Sequence, residues 1–111
     1  MTDDKPLANL KPTMYAWRVH ELAMICRANG YALALHGSMQ RDLDAIAVPW
    51  TEKAVAAETL VERVCEGMGL HLGTDPAGRV DDKPHGRRTW TLLLTDWGFV
   101  DLSVMPLSEA A

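Results

Sequence analysis

Apolar and polar positions follow two periods along this chain, and the switches between them mark out its elements. From residue 13 onward Met14, Trp17, Leu22, Ala23, Ile25 and Cys26 recur at roughly the three- and four-residue spacing of one helix face. Thr13 stands where an N-cap is wanted and Asn29-Gly30 supplies a stop, so the pattern predicts a first helix with Met14 and Trp17 in its core stripe. Tyr31 to Leu35 is a short apolar run directly after that stop and reads as a strand. A second run, from about Asp42 to Val48, follows after a few residues, and the short gap predicts an antiparallel hairpin closed off by Pro49. Thr51 then serves as an N-cap, with Glu52 in the first turn, for a second helix through Val55, Leu60, Val61, Val64 and Cys65 to about Met68, where Gly67 to Gly69 stops it.

Between Leu70 and Arg88 the periodicity dissolves into glycine, proline and charge, which predicts a long loop. Trp90 to Leu94 reads as a strand, Asp96-Trp97-Gly98 as a turn, and Phe99 to Met105 as a last strand. The order α-β-β-α-β-β predicts an α+β domain, a small and mostly antiparallel sheet of about four strands with two main helices on one face. Residues 1–12 read as a flexible arm, 13–106 as the single domain and 107–111 as a frayed tail.

Composition narrows the function classes. The chain has 111 residues, enough for one core, and its 15 acidic against 11 basic residues argue against a protein that grips duplex nucleic acid over a broad surface. The start carries acids where a secretory leader needs basic residues, and no stretch reaches membrane-spanning length, so a cytoplasmic protein with no membrane partner is expected. Cys26 and Cys65 sit singly within helical patterns and read as reduced, buried thiols. His20, His36, His71 and His85 lack the close spacing of a zinc site, although His36 borders a turn where it can meet a phosphate or act as an acid-base group.

The chemistry concentrates in His36 to Trp50, HGSMQRDLDAIAVPW. Asp42 and Asp44 lie two apart at the head of a strand, so both side chains project on one face, where their mutual repulsion calls for a cation, a basic group or open water in front of them. Gly37 and Ser38 form a tight turn with backbone N–H groups and a hydroxyl suited to an anion such as a phosphate. Asp101 points away from the apolar Val100-Leu102-Val104 face and supplies a third acid. Three carboxylates of this kind suit Mg²⁺ or Mn²⁺, and two such ions roughly 4 Å apart activate an attacking hydroxyl and stabilise a leaving pyrophosphate. The basic cluster Lys83-Pro84-His85-Gly86-Arg87-Arg88 complements phosphate charge. The plain alternative is a hairpin with solvated acids at its mouth.

HGS followed by RDLDAIAV resembles the nucleotidyltransferase superfamily, the polymerase-beta-like fold. The resemblance implies that Gly37 and Ser38 form the phosphate-binding turn and that Asp42, Asp44 and Asp101 are catalytic metal ligands. Only Met39, Gln40 and Arg41 separate the turn from the aspartate pair, where the superfamily usually has a helical segment, and this shortening either brings Arg41 into the place of a phosphate ligand or leaves a fold relative that no longer transfers nucleotides. Together with KPHGRRTWTLLL and VDLSVMP, the same stretch is similar to small proteins encoded by bacteriophages and prophages, which implies a bacterial host cell but no particular activity. The expectation is a minimal domain that binds a nucleoside triphosphate with Mg²⁺ (or Mn²⁺) and transfers a nucleotidyl group to an unknown acceptor. Arg41, Lys83, Arg87 and Arg88 would neutralise phosphate charge. A non-catalytic phage accessory protein that binds a protein partner with the same scaffold is the alternative.

Overall fold

A computed structural model describes residues 16–37, 43–72, 80–82, 84–93 and 99–107, with side chains left aside at 72 and 80–82. The order is α1 (Trp17–Ala28), β1 (Tyr31–His36), β2 (Leu43–Pro49), α2 (Ala57–Met68), β3 (His71–Leu72), β4 (Val80–Asp82), β5 (Arg88–Leu93) and β6 (Phe99–Val104). The strands form one mixed sheet in the order β1-β2-β6-β5-β3, and β4 also pairs with β5. The four long strands and two helices are those that the periodicity predicts, and β1 and β2 form the expected antiparallel hairpin. The two hairpins meet through a parallel pairing of β2 with β6. Among the described residues, no helix is long and apolar enough to cross a membrane.

One face of the sheet carries Leu43, Ala45 and Ala47 from β2, Val100, Leu102 and Val104 from β6, and Trp90 and Leu92 from β5, all buried. These positions alternate along each strand, as a sheet with one covered face requires. They join Leu22 and Cys26 of α1 with Leu60, Val61, Val64 and Met68 of α2 in a single core. Polar contacts at both ends hold the two helices against each other. Near its start, α1 places Arg18 so that Nη2 donates to the Met68 carbonyl at the end of α2, where a cation meets the negative end of the helix dipole. At the other end Asn29, buried at the C-cap of α1, accepts from Arg63 Nη1 at 2.7 Å and donates to the Ile25 carbonyl at 2.7 Å.

Three expectations change. Trp17 is 68% exposed rather than in the core stripe. It precedes the buried Cys26 by about two and a half helical turns and so faces the other way, its ring flanked by the Arg18 guanidinium at 5.2 Å. Thr13 and Met14 lie outside the described residues.

The second helix starts at Ala57, with Ala56 at its N-cap and Glu58 in its first turn, rather than at Thr51. The Thr51 hydroxyl is turned to a tight local bend instead, accepting from the Lys53 N–H at 3.2 Å. The following residues are drawn straight by the corner between α1 and β1. Val55 N–H donates to the Asn29 carbonyl at 3.1 Å and the Tyr31 hydroxyl to the Val55 carbonyl at 2.6 Å. At Gly30 (φ +89°) a Cβ would lie 2.4 Å from the Ala54 Cα, so only glycine lets these backbones pass.

The region from Leu70 to Arg88 holds more structure than its composition suggests. β3 and β4 pair with opposite ends of β5, through His71 opposite Leu93 and Val80 opposite Trp90. Strands of two and three residues are too short to leave an alternating signature in the sequence.

Burial pushes the Cys26 thiol up to about 12 from its ordinary 9.0, whereas Cys65 is raised and only partly buried. The folded chain therefore keeps the Cys26 proton after the unfolded chain has lost it, and stability falls with rising pH between about 9 and about 12. Denaturant titrations across that window should show a decline that Cys26→Ala flattens. A thiol reagent at neutral pH should label Cys65 in the native state and Cys26 only on unfolding, as read by peptide mass spectrometry. Leu102→Ala, which empties a fully buried position, should cost about 2–5 kcal/mol in the same titrations.

Candidate functional site

The opposite face of the sheet bears no helix from the described residues, and its polar groups fall on one line. Residues level with each other on neighbouring strands project to the same side. His36 is level with Asp44 across β1 and β2, Asp44 with Asp101 across β2 and β6, and Asp101 with Thr91 across β6 and β5. A row of four side chains, imidazole, carboxylate, carboxylate and hydroxyl, thus crosses four strands of the sheet.

Each member of the row is set by the alternation that fills the core. Asp44 lies between buried Leu43 and Ala45, and Asp101 between buried Val100 and Leu102, so neither acid can reach the covered face while its neighbours stay there. The Thr91 hydroxyl donates to Asp101 Oδ1 at 2.9 Å, which fixes the orientation of that carboxylate. In the adjacent row Thr89 and Ser103 share a 2.7 Å hydrogen bond between their hydroxyls, with Ser103 buried.

Gly37 closes β1 beside this row. It has φ +82°, and a Cβ there would meet Asp44 Oδ2 at 2.5 Å. Gly37 and the acid are therefore in close approach, and glycine is what allows it.

The remaining site residues divide. Ser38, Arg41, Asp42 and Lys83 lie outside the described residues. Arg87 sits in the residue before β5, with its N–H directed at the Pro84 carbonyl at 3.4 Å. Arg88 is level with the buried Val104 across β5 and β6, on the side of the sheet away from Asp44 and Asp101. It shares the covered side of β5 with Trp90, stacks 5.0 Å from that ring, and donates through Nη1 to Glu58 Oε2 of α2 at 2.8 Å. That contact holds the Glu58 carboxyl below its ordinary value. In this structure Arg88 ties β5 to α2, and the alternation Arg88, Trp90, Leu92 carries the signal for that placement. Thr91, absent from the expected site, is marked by the complementary set Thr89, Thr91.

Among the described residues no three His, Cys, Asp or Glu side chains converge as a metal-holding group. Two of the three expected acids, Asp44 and Asp101, are nonetheless brought into register on adjacent strands. Comparison of the chain with family models, with curated proteins and with solved structures yields no match.

Gly37→Ala should destabilise the protein by about 1–2 kcal/mol, the cost of forcing a Cβ into left-handed backbone, with a further part from displacing the Asp44 carboxylate. Chemical denaturation of a double-mutant cycle with Asp44→Ala separates the two. The cost should be smaller in the Asp44→Ala background, and equal costs would show that the carboxylate does not press on the turn.

Proposed function

We propose that this chain is a minimal nucleotidyltransferase-like domain that binds a nucleoside triphosphate together with Mg²⁺ or Mn²⁺ on the open face of its sheet. The observation that carries the reading is the register of Asp44 with Asp101, two acids on adjacent inner strands, beside a glycine turn that ends in close approach to one of them. Like charges held side by side on a folded scaffold are costly, and a hard cation between them relieves that cost.

The donor set fits such an ion, since carboxylate oxygens are the ligands that Mg²⁺ and Mn²⁺ prefer. Asp42 would complete the set. A bound ion of this kind supplies charge neutralisation at the phosphates and lowers the pKa of an attacking hydroxyl. The chain's own part is positional. Thr91 holds one Asp101 oxygen and so sets the orientation of that carboxylate. The turn at Gly37 offers backbone N–H groups to phosphate oxygens, with Ser38 and Arg41 adding a hydroxyl and a cation. Transfer of the nucleotidyl group to an acceptor is the reaction that this arrangement serves, in the cytoplasm of a bacterial host cell.

A second reading, a phage-type accessory protein that binds another protein, is supported by Trp17 and Trp50, which are 68% and 78% exposed.

Calorimetric titration of the full chain with the four ribonucleoside triphosphates, with and without Mg²⁺ or Mn²⁺, separates the two. Metal-dependent binding should appear and should be lost in folded Asp44→Asn and Asp101→Asn. Silence across the panel with folded wild-type protein would sink the transferase-like reading. In chelator the same variants should be as stable as the wild type or more so, by up to about 1 kcal/mol, because each removes one of two facing charges. Urea unfolding with EDTA measures this.

A further inference from the structure

The sheet has two unlike edges. On one side β3 and β4 cover opposite ends of β5 with short segments. On the other side β1 is the outermost of the described strands, six residues of sequence YALALH with no Lys, Arg, Asp, Glu or Pro, and Ala32, Ala34, Leu35 and His36 are exposed. A long, apolar, uncharged edge is the kind that pairs with another strand.

Backbone parity decides which groups the edge offers. Trp50 N–H donates to the Gly30 carbonyl at 2.8 Å, and Gly30 and Trp50 continue the β1–β2 register in which Tyr31 faces Pro49. In an antiparallel pair such hydrogen-bonded positions alternate, so Gly30, Ala32, Ala34 and His36 turn their N–H and C=O groups toward β2. Tyr31, Leu33 and Leu35 turn theirs outward.

Those three outward residues are symmetric about Leu33. A second copy brought up antiparallel around a two-fold axis at Leu33 sets Leu33 opposite Leu33, and Tyr31 opposite Leu35 in both directions. Every opposed pair then falls on an outward-directed position, and each can exchange two backbone hydrogen bonds. Ala32 meets Ala34 on the open face, where small side chains leave no clash. No charge faces a like charge anywhere in the pairing.

The side chains complement each other in the same register. A groove of about 390 Å³ runs along the Tyr31 end of the edge, lined by Ala23, Arg27, Tyr31, Leu33 and Trp50 among others. At the far end of the same strand Leu35 is 41% exposed. The two-fold axis carries the protruding Leu35 of each copy to the groove beside Tyr31 of the other, with exposed Trp50 at the rim. Tyr31, which lines the groove, and Leu35 each stand two residues from Leu33, and that equal spacing is the condition for an isologous contact.

We propose that β1 is a homodimerisation edge at which two copies of this chain pair antiparallel about Leu33 into one continuous sheet. An axis of this kind keeps faces together, so the helices of both copies cover one side and the two His36–Asp44–Asp101–Thr91 rows face the other. The assignment rests on the strand edge alone and stands whether or not those rows bind a nucleotide.

Sedimentation equilibrium of the full chain over about 1 to 200 µM tests it, with circular dichroism and thermal melts confirming that each variant is folded. Wild-type protein should shift from the mass of one chain toward that of two as concentration rises. Leu35→Lys, which sends a charge into the groove, and Leu35→Pro, which deletes an outward N–H while leaving the bonds to β2, should both weaken dimerisation at least tenfold. Asp44→Asn should dimerise as the wild type does. A monomeric wild type across the range, or a dimer that both Leu35 variants leave unchanged, would overturn the proposal.

Discussion

The parallel pairing of β2 with β6 is the contact on which both the core and the candidate site depend. Without it the chain is two separate hairpins, and a two-stranded ribbon is marginal in water. With it, Leu43, Ala45 and Ala47 lie level with Val100, Leu102 and Val104 under the two helices, every one of them buried. The same register sets Asp44 level with Asp101 on the other face. A slip of one residue would exchange the faces of a whole strand, driving an aspartate into the core and an aliphatic side chain out of it. The hydrophobic pattern therefore enforces the pairing of the two acids, and whatever repulsion they feel is held in place by the burial on the far side of the sheet.

That coupling explains how much of the molecule can be read from the sequence. Alternation in 99–104, the apolar run from Trp90, and the helical spacing behind Leu22 and Cys26 are local patterns, and they yield the elements and, for 99–104, the faces. The sheet order is not local. Nothing in YALALH or FVDLSV says that β6 rather than β5 lies beside β2, and so the level placement of Asp44 and Asp101 is a product of tertiary pairing, hidden until the strands are assembled. Thr91 is legible only as an outward-facing threonine until β6 brings Asp101 to it.

Where the reading went astray, a local signal met a tertiary competitor. Thr51 followed by an acid is a good start for a helix, yet the corner at Asn29 and Gly30 takes the next residues for itself. The Asn29 carbonyl binds Val55, the Tyr31 hydroxyl binds the Val55 carbonyl, and Gly30 admits Ala54 at a distance no side chain would allow. The helix can begin only after those bonds are made. Arg88 shows the reverse case, a charge that belongs to a basic run in the sequence and that the strand places beside Trp90 and Glu58 on the covered side. A run of basic residues is a cluster in the sequence, but in a strand it divides between two faces.

The distribution of protection over the sheet bears on function as well. The covered face is sealed by two helices that are stapled to each other by Arg18 and Arg63, and the β5 edge is occupied by short strands. The acid-bearing face carries no helix from the described residues and β1 has no described strand beyond it; His36 belongs to both, lying level with Asp44 at the end of the edge strand. A strand added at β1 would extend the open face without crossing it, because backbone pairing uses the in-plane groups and leaves side chains pointing as before. Assembly along the edge and ligand binding on the face are thus geometrically compatible. They meet at His36, whose backbone belongs to the β1–β2 ladder and whose side chain ends the polar row.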